Sequence, residues 1–163
     1  DLLCNLFKQL GLEVPENFNL DNYFIYKSRD MGQEILNPVD VAGWQGNHDW
    51  ISTGSLPMRW DFIDDILWKF WQKDKNQYQN YLKEIVGDND TNPESIVKKV
   101  IDFMFCEYVI KQEDLIDAIE VFKSDVPDIY YEDGTWTIND DSVPLQTYRL
   151  VGFLIKLPEY QLK

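Results

Sequence analysis

His48 is the one histidine among 163 residues, so no two-histidine metal site exists within the chain and any histidine-based triad has to use this residue. Asp49 beside it and Asp40 upstream could orient its ring as a general base, the arrangement proton abstraction needs. The alternative is a loop histidine bonded to backbone. Trp44 and Trp50 bracket the same stretch and also have two readings. Paired aromatics beside polar groups make a platform for a sugar ring or an aromatic-bearing partner. Equally, two large rigid side chains are what pins a long loop to the helices it joins. Trp44, His48, Asp49 and Trp50 are therefore candidate binding residues, and no catalytic role is assigned to any of them.

Other residues of chemical interest lead less far. Carboxylates are paired at Asp64-Asp65, Glu113-Asp114 and Asp140-Asp141, but glycosidase chemistry needs two carboxyls converging across one bond, and sequence gives no sign of convergence. Asp88-Asn-Asp-Thr-Asn92 looks like the start of a calcium loop, yet Pro93 stands where glycine is needed and Lys99 where the closing glutamate is needed. The two cysteines, Cys4 and Cys106, form no CxxC pair. Cys106 reads as a small buried hydrophobe, and a disulfide to Cys4 stays open. There is no P-loop, GxGxxG or GxSxG. No cofactor is expected.

Composition bounds the class. Hydrophobic residues at 44% and aromatics at 15% supply a proper core in a chain of this length. Twenty-nine acidic residues face 15 Lys and Arg, a net charge of −14. Phosphate backbones and anionic membrane surfaces demand a basic face, so neither is an expected partner. The apolar run Leu150–Leu157 is far short of the roughly 18–20 residues of a membrane span and reads as a buried helix.

The elements that must position these residues follow from periodicity. Leu2, Leu3, Leu6, Phe7 and Leu10 read as a helix stopped by Gly11, and Asp21 can cap a second helix running to about Ile35. The Trp/Gly loop then runs to about Leu56. Pro57 opens the clearest helix, with Trp60, Ile63, Leu67, Phe70 and Trp71 as one apolar stripe and Arg59 off it. Trp68 sits among carboxylates, covered by another element or displayed as part of an interface. Tyr78–Val86 is a helix ended by Gly87. Thr91-Asn-Pro-Glu94 starts the next, with either Thr91 or Asn92 as cap, and Val97, Val100, Ile101, Met104 and Tyr108 recur along it. Leu115, Ala118, Ile119 and Phe122 mark another helix. Tyr130–Trp136 alternates around Asp133-Gly134, a hairpin signal. The last helix spans Ser142 or Val143 to Leu157, and its Gly152 implies close helix–helix approach. The expected fold is all-α, an irregular multi-helix bundle with a long Trp/Gly loop and a small hairpin-like insertion. Residues 1–163 read as one helical domain, and the start at Asp1, already inside a helical pattern, reads as the C-terminal fragment of a longer protein.

Gly32-Gln33, then Pro38-x-x-Val41-x-Gly43-Trp44-x-Gly46-x-x-x-Trp50-Ile51, then Arg59, and finally Leu157-Pro-Glu-Tyr-Gln161 carry a resemblance. The pattern resembles that of a large bacterial family, the domain of unknown function numbered eighteen hundred. Members typically read Gly-Gln, Pro-Pro-x-Val-x-Gly-Trp-x-Gly-Gly-x-x-Trp and a nearby Arg, and close in Pro-Glu-Phe-Gln. Val39 replaces the second proline here, and Asn47 the second glycine, where Asn tolerates left-handed backbone better than most residues.

The resemblance implies the C-terminal portion of a larger, mainly helical protein. Members are often exported, and their genes commonly neighbour those of a second exported family with sulfatase-like character. It implies a periplasmic or cell-surface location and carries no established activity. The first functional expectation is an exported interaction or scaffold domain, contacting a protein partner or the missing N-terminal region of its own chain. The alternative is a hydrolase or glycan-binding module with its site at Trp44–Trp50.

Overall fold

The computed structural model describes residues 10–11, 20–31, 34, 37, 52–105 and 110–161. Among these are eight helices and no strand: α1 (Leu20–Asp30), α2 (Ser55–Lys73), α3 (Asn76–Val86), α4 (Pro93–Phe105), α5 (Gln112–Lys123), α6 (Ile129–Glu132), α7 (Val143–Lys156) and α8 (Pro158–Gln161). The all-α class read from periodicity holds.

Helix α7 is the axis of the bundle, packing against α2, α3, α5 and α8. It buries Val143, Pro144, Gln146, Thr147, Leu150, Val151, Leu154 and Ile155, so its second half is apolar on nearly every side, as its sequence requires. Gly152 faces α2, where a β-carbon would stand 3.5 Å from Leu67 Cδ1, an ordinary packing contact rather than the close approach expected. Around this axis one continuous core runs from Leu10 through the faces of α2–α5 to Tyr160.

Local rules set the helix ends. The Ser52 hydroxyl accepts the Ser55 amide (3.0 Å) while the Ser52 amide donates to Ser55 Oγ (2.8 Å). These reciprocal bonds hold the turn that leads into α2, which starts at Ser55, two residues ahead of Pro57. Pro57 falls inside the first turn, where its missing N–H leaves no bond unmade. Asn92 rather than Thr91 caps α4, its Oδ1 accepting the amides of Glu94 (2.9 Å) and Ser95 (3.2 Å), with Pro93 as the first helical residue. Gly87 closes α3 at φ +81°, a conformation open to glycine at little cost.

Four expectations need correction. Helix α1 ends at Asp30, with Met31 donating the last bond to the Lys27 carbonyl (3.0 Å), well short of Ile35. Gly32, next in sequence, is the poorest helix former after proline. On α2 the buried face is Phe62, Ile63, Ile66, Leu67 and Phe70; Trp60 is 39% exposed, whereas Arg59, placed off the stripe, is only 4% exposed. The face is fixed by contact with α7, which turns Trp60 to its edge. Trp71 is half-buried beside the stripe, its ring 5.9 Å from Tyr78 and 5.4 Å from Tyr148. Finally, Tyr130–Trp136 is no hairpin. Its first half is α6, Gly134 turns the chain at φ +72°, and the Trp136 amide returns to the Tyr130 carbonyl at 2.9 Å. A left-handed glycine ends a helix as readily as it makes a hairpin turn, and seven residues of alternation do not decide between them.

Leu10 is helical and buried and Gly11 follows at φ +55°, in keeping with the expected stop. The rest of that helix, Cys4, Cys106, Tyr108 and most of the Trp/Gly loop lie outside the described residues.

Candidate functional site

Trp44, His48, Asp49 and Trp50 lie outside the described residues. The described structure begins again at Ser52, at the head of α2, and the chemistry it gathers lies along that helix.

The most unusual side chain there is Arg59. It is buried, and its Nη1 donates to Gln161 Oε1 over a long 3.4 Å. Gln161 is fixed in that orientation because its own amide nitrogen donates to the Ile155 carbonyl at 2.7 Å. Residues 102 positions apart thus meet in the interior, and they are the last members of the two sequence motifs, Gly32–Arg59 and Leu157–Gln161. Arg59 Nε and Glu159 Oε2 are buried with no hydrogen-bond partner among the described residues. Burial pushes the Arg59 pKa down from its ordinary value. The short helix α8 places Gln161: Leu157 accepts the amides of Tyr160 and Gln161 (both 3.1 Å), and the Tyr160 ring packs edge-on against Phe105 at 5.7 Å.

On its other side α2 holds α1. The Tyr23 hydroxyl donates to Asp65 Oδ2, the Tyr23 ring packs on Phe62 (5.5 Å), and Lys69 pairs with Asp65 Oδ1 at 3.0 Å. Burial opposes ionisation of Asp65, but the bonds from Tyr23 and Lys69 and the nearby charges of Lys69 and Lys27 outweigh it and hold its pKa below the ordinary carboxylate value. Burial and the same bond push Tyr23 upward. The signs set a pH window. A depressed carboxylate stabilises above its unfolded pKa, about 3.9, and loses that contribution as pH falls through the lower folded value. A raised phenol contributes fully below about pH 10 and loses its share only above that. The α1–α2 tie is thus expected to be constant from about pH 5 to 9 and to weaken below about pH 4. Melting temperature against pH for wild type and Tyr23→Phe checks this: the two curves should run parallel in that window and converge in acid.

The solvent side of α1 and α2 carries large apolar side chains. Ile25, Tyr26, Met58, Trp60 and Trp68 are 47%, 58%, 46%, 39% and 49% exposed. Of the two readings of Trp68, display is the one found. A cavity of about 390 Å³ lies elsewhere, between Leu10–Gly11 and the face of α3 bearing Gln77, Asn80, Tyr81 and Glu84. It is lined by none of the candidate binding residues read from the sequence. Among the described residues no helix is long and apolar enough to cross a membrane.

Sequence reasoning missed the burial of Arg59 and its meeting with Gln161. The one signal available was that both residues stand inside the recognisable motifs.

Helical bundle and convergent motifs together define a class of all-α domain with its two signature segments joined through a buried arginine. The family model described as "Protein of unknown function (DUF1800)" matches residues 4–162, and the chain belongs to that family. No match was found among curated proteins or among solved structures.

Proposed function

We propose that this chain is an interaction or scaffold domain of an exported bacterial protein, acting at the periplasmic or cell-surface side as the C-terminal part of a larger chain. The observation that carries the reading is the display of Trp60 and Trp68 on one helix, with Met58 beside them and Ile25 and Tyr26 on the helix next to it. Exposed tryptophan is costly to leave in water and is enriched where partners bind. The rest of α2 is held by its buried face and by the pair Asp64–Lys156 (2.6 Å) to α7, so these side chains are presented on a fixed support. The occupant is a protein partner or a further segment of the same polypeptide. Net charge −14 argues against nucleic acid.

The test is co-purification of the intact parent with the product of a neighbouring gene, repeated with Trp60→Gln/Trp68→Gln. Loss of the complex with an unchanged melting temperature supports the reading. A complex untouched by the double substitution moves the contact elsewhere. Saturable glycan binding lost in Trp44→Ala would instead place the function on Trp44, His48, Asp49 and Trp50.

A further inference from the structure

The ion pairs found between described residues lie at or near the surface: Lys69 with Asp65, Lys98 with Glu94, Lys99 with Asp90, Lys123 with Asp128, Arg149 with Asp125 and Lys156 with Asp64. Arg59, 4% exposed, has no such partner among the described residues. Carboxylates are not scarce, since the chain carries 29 of them. Glu159, two residues from Gln161 on α8, forms no pair with Arg59 although its Oε2 is itself buried and unpartnered among the described residues.

Taking a guanidinium out of water without a counter-ion is costly, and in exchange Arg59 donates one long bond to a neutral amide oxygen. Its place on the helix makes matters worse. It is the fifth residue of the 19-residue α2, helical side chains lean toward the N-terminus, and that end carries the positive pole of the helix dipole. A fixed cation with a free Nε–H, beside a positive helix end and with no acid supplied by the described residues, is the electrostatic complement of an oxyanion.

We propose that Arg59 is the receptor for an anionic oxygen group brought by a ligand, a carboxylate or a phosphate. The guanidinium supplies Nε–H and the remaining Nη donors, while Gln161 holds it in place through Nη1. This is a site for a small anion and is separate from the aromatic display on α2.

The Arg59 Nε–Hε resonance reports on this group directly and is assigned by its disappearance in Arg59→Lys. Sodium acetate and sodium phosphate are titrated separately into the full chain at pH 7, with chloride holding ionic strength constant. The expected result is a saturable downfield shift of that resonance. It should come with a melting temperature raised by about 3–6 °C at ten times the dissociation constant. Both effects should vanish in Arg59→Met. Response to acetate alone identifies a carboxylate ligand, and response to phosphate alone a phosphorylated one. A wild-type resonance that does not move with either salt overturns the proposal, whether or not the variants fold. So does stabilisation that persists undiminished in Arg59→Met.

Discussion

Trp136→Ala is expected to lower the melting temperature by roughly 6–20 °C, from a cost of about 3–5 kcal/mol for emptying a buried tryptophan site and about 2–4 °C per kcal/mol for a domain of this size. The side chain is 2% exposed. Its ring stands edge-on to Phe122 (5.9 Å, 81°) and tilted against Tyr131 (5.2 Å), contacts that add to simple burial. Its indole N–H donates to Gln146 Oε1 at 3.2 Å. Trp136 is thus the peg by which the whole 124–142 connection, including α6, is fastened to α5 and α7. Trp136→Phe keeps much of the packing and gives up the hydrogen bond, so it should fall between wild type and alanine. Thermal unfolding of the three proteins checks the order. Equal melting temperatures for Trp136→Ala and wild type would mean that the connection is held by something else.

The second large effect is expected at Gln146. This residue is fully buried, and its amide is used completely. Nε2 donates to the Phe122 carbonyl (2.8 Å) and to the Tyr131 hydroxyl (2.6 Å), while Oε1 accepts from Trp136 Nε1 and from the Ser142 hydroxyl (both 3.2 Å). One side chain therefore ties α5, α6 and the Trp136 turn to α7. Gln146→Leu keeps the volume and removes all four bonds. It strands the Trp136 N–H and the Phe122 carbonyl in the core, and at about 1–3 kcal/mol for each buried group the loss is about 2–6 kcal/mol. Urea unfolding of the variant measures it. Because Trp136 and Gln146 share a bond, combining Gln146→Leu with Trp136→Phe should cost less than the sum of the two. A loss within about 0.5 kcal/mol of zero, the size of an ordinary surface substitution, would show that the network contributes nothing.

These two residues also mark how far the sequence could be read. The start of helix α4 was legible to within one residue, with Thr91 or Asn92 as cap, because a cap acts through bonds only two or three positions away, and the structure selects Asn92. The second half of α7 was legible because a helix that is apolar all round has to be central. Cys106 and the Trp/Gly loop remain as the sequence left them, since they lie outside the described residues. The Tyr130–Trp136 segment was misread as a hairpin. Its outcome depends on Phe122 and Gln146, residues that reach Trp136 only after α5 and α7 have packed.

What the sequence determined by itself is therefore what is set within a turn or two of chain: the all-α class, a helix start at Thr91–Pro93, the stop at Gly87, and membership of a family through its motifs. Tertiary structure alone decided that Arg59 is buried while Trp60 and Trp68 are displayed, and that Gln161 closes over Arg59 from 102 residues away. The reason is geometric. Periodicity fixes which residues share a helix face, but the direction in which that face turns is chosen by its neighbours. On α2 the apolar stripe and the charged edge lie a fraction of a turn apart, and contact with α7 settled which of them went inside.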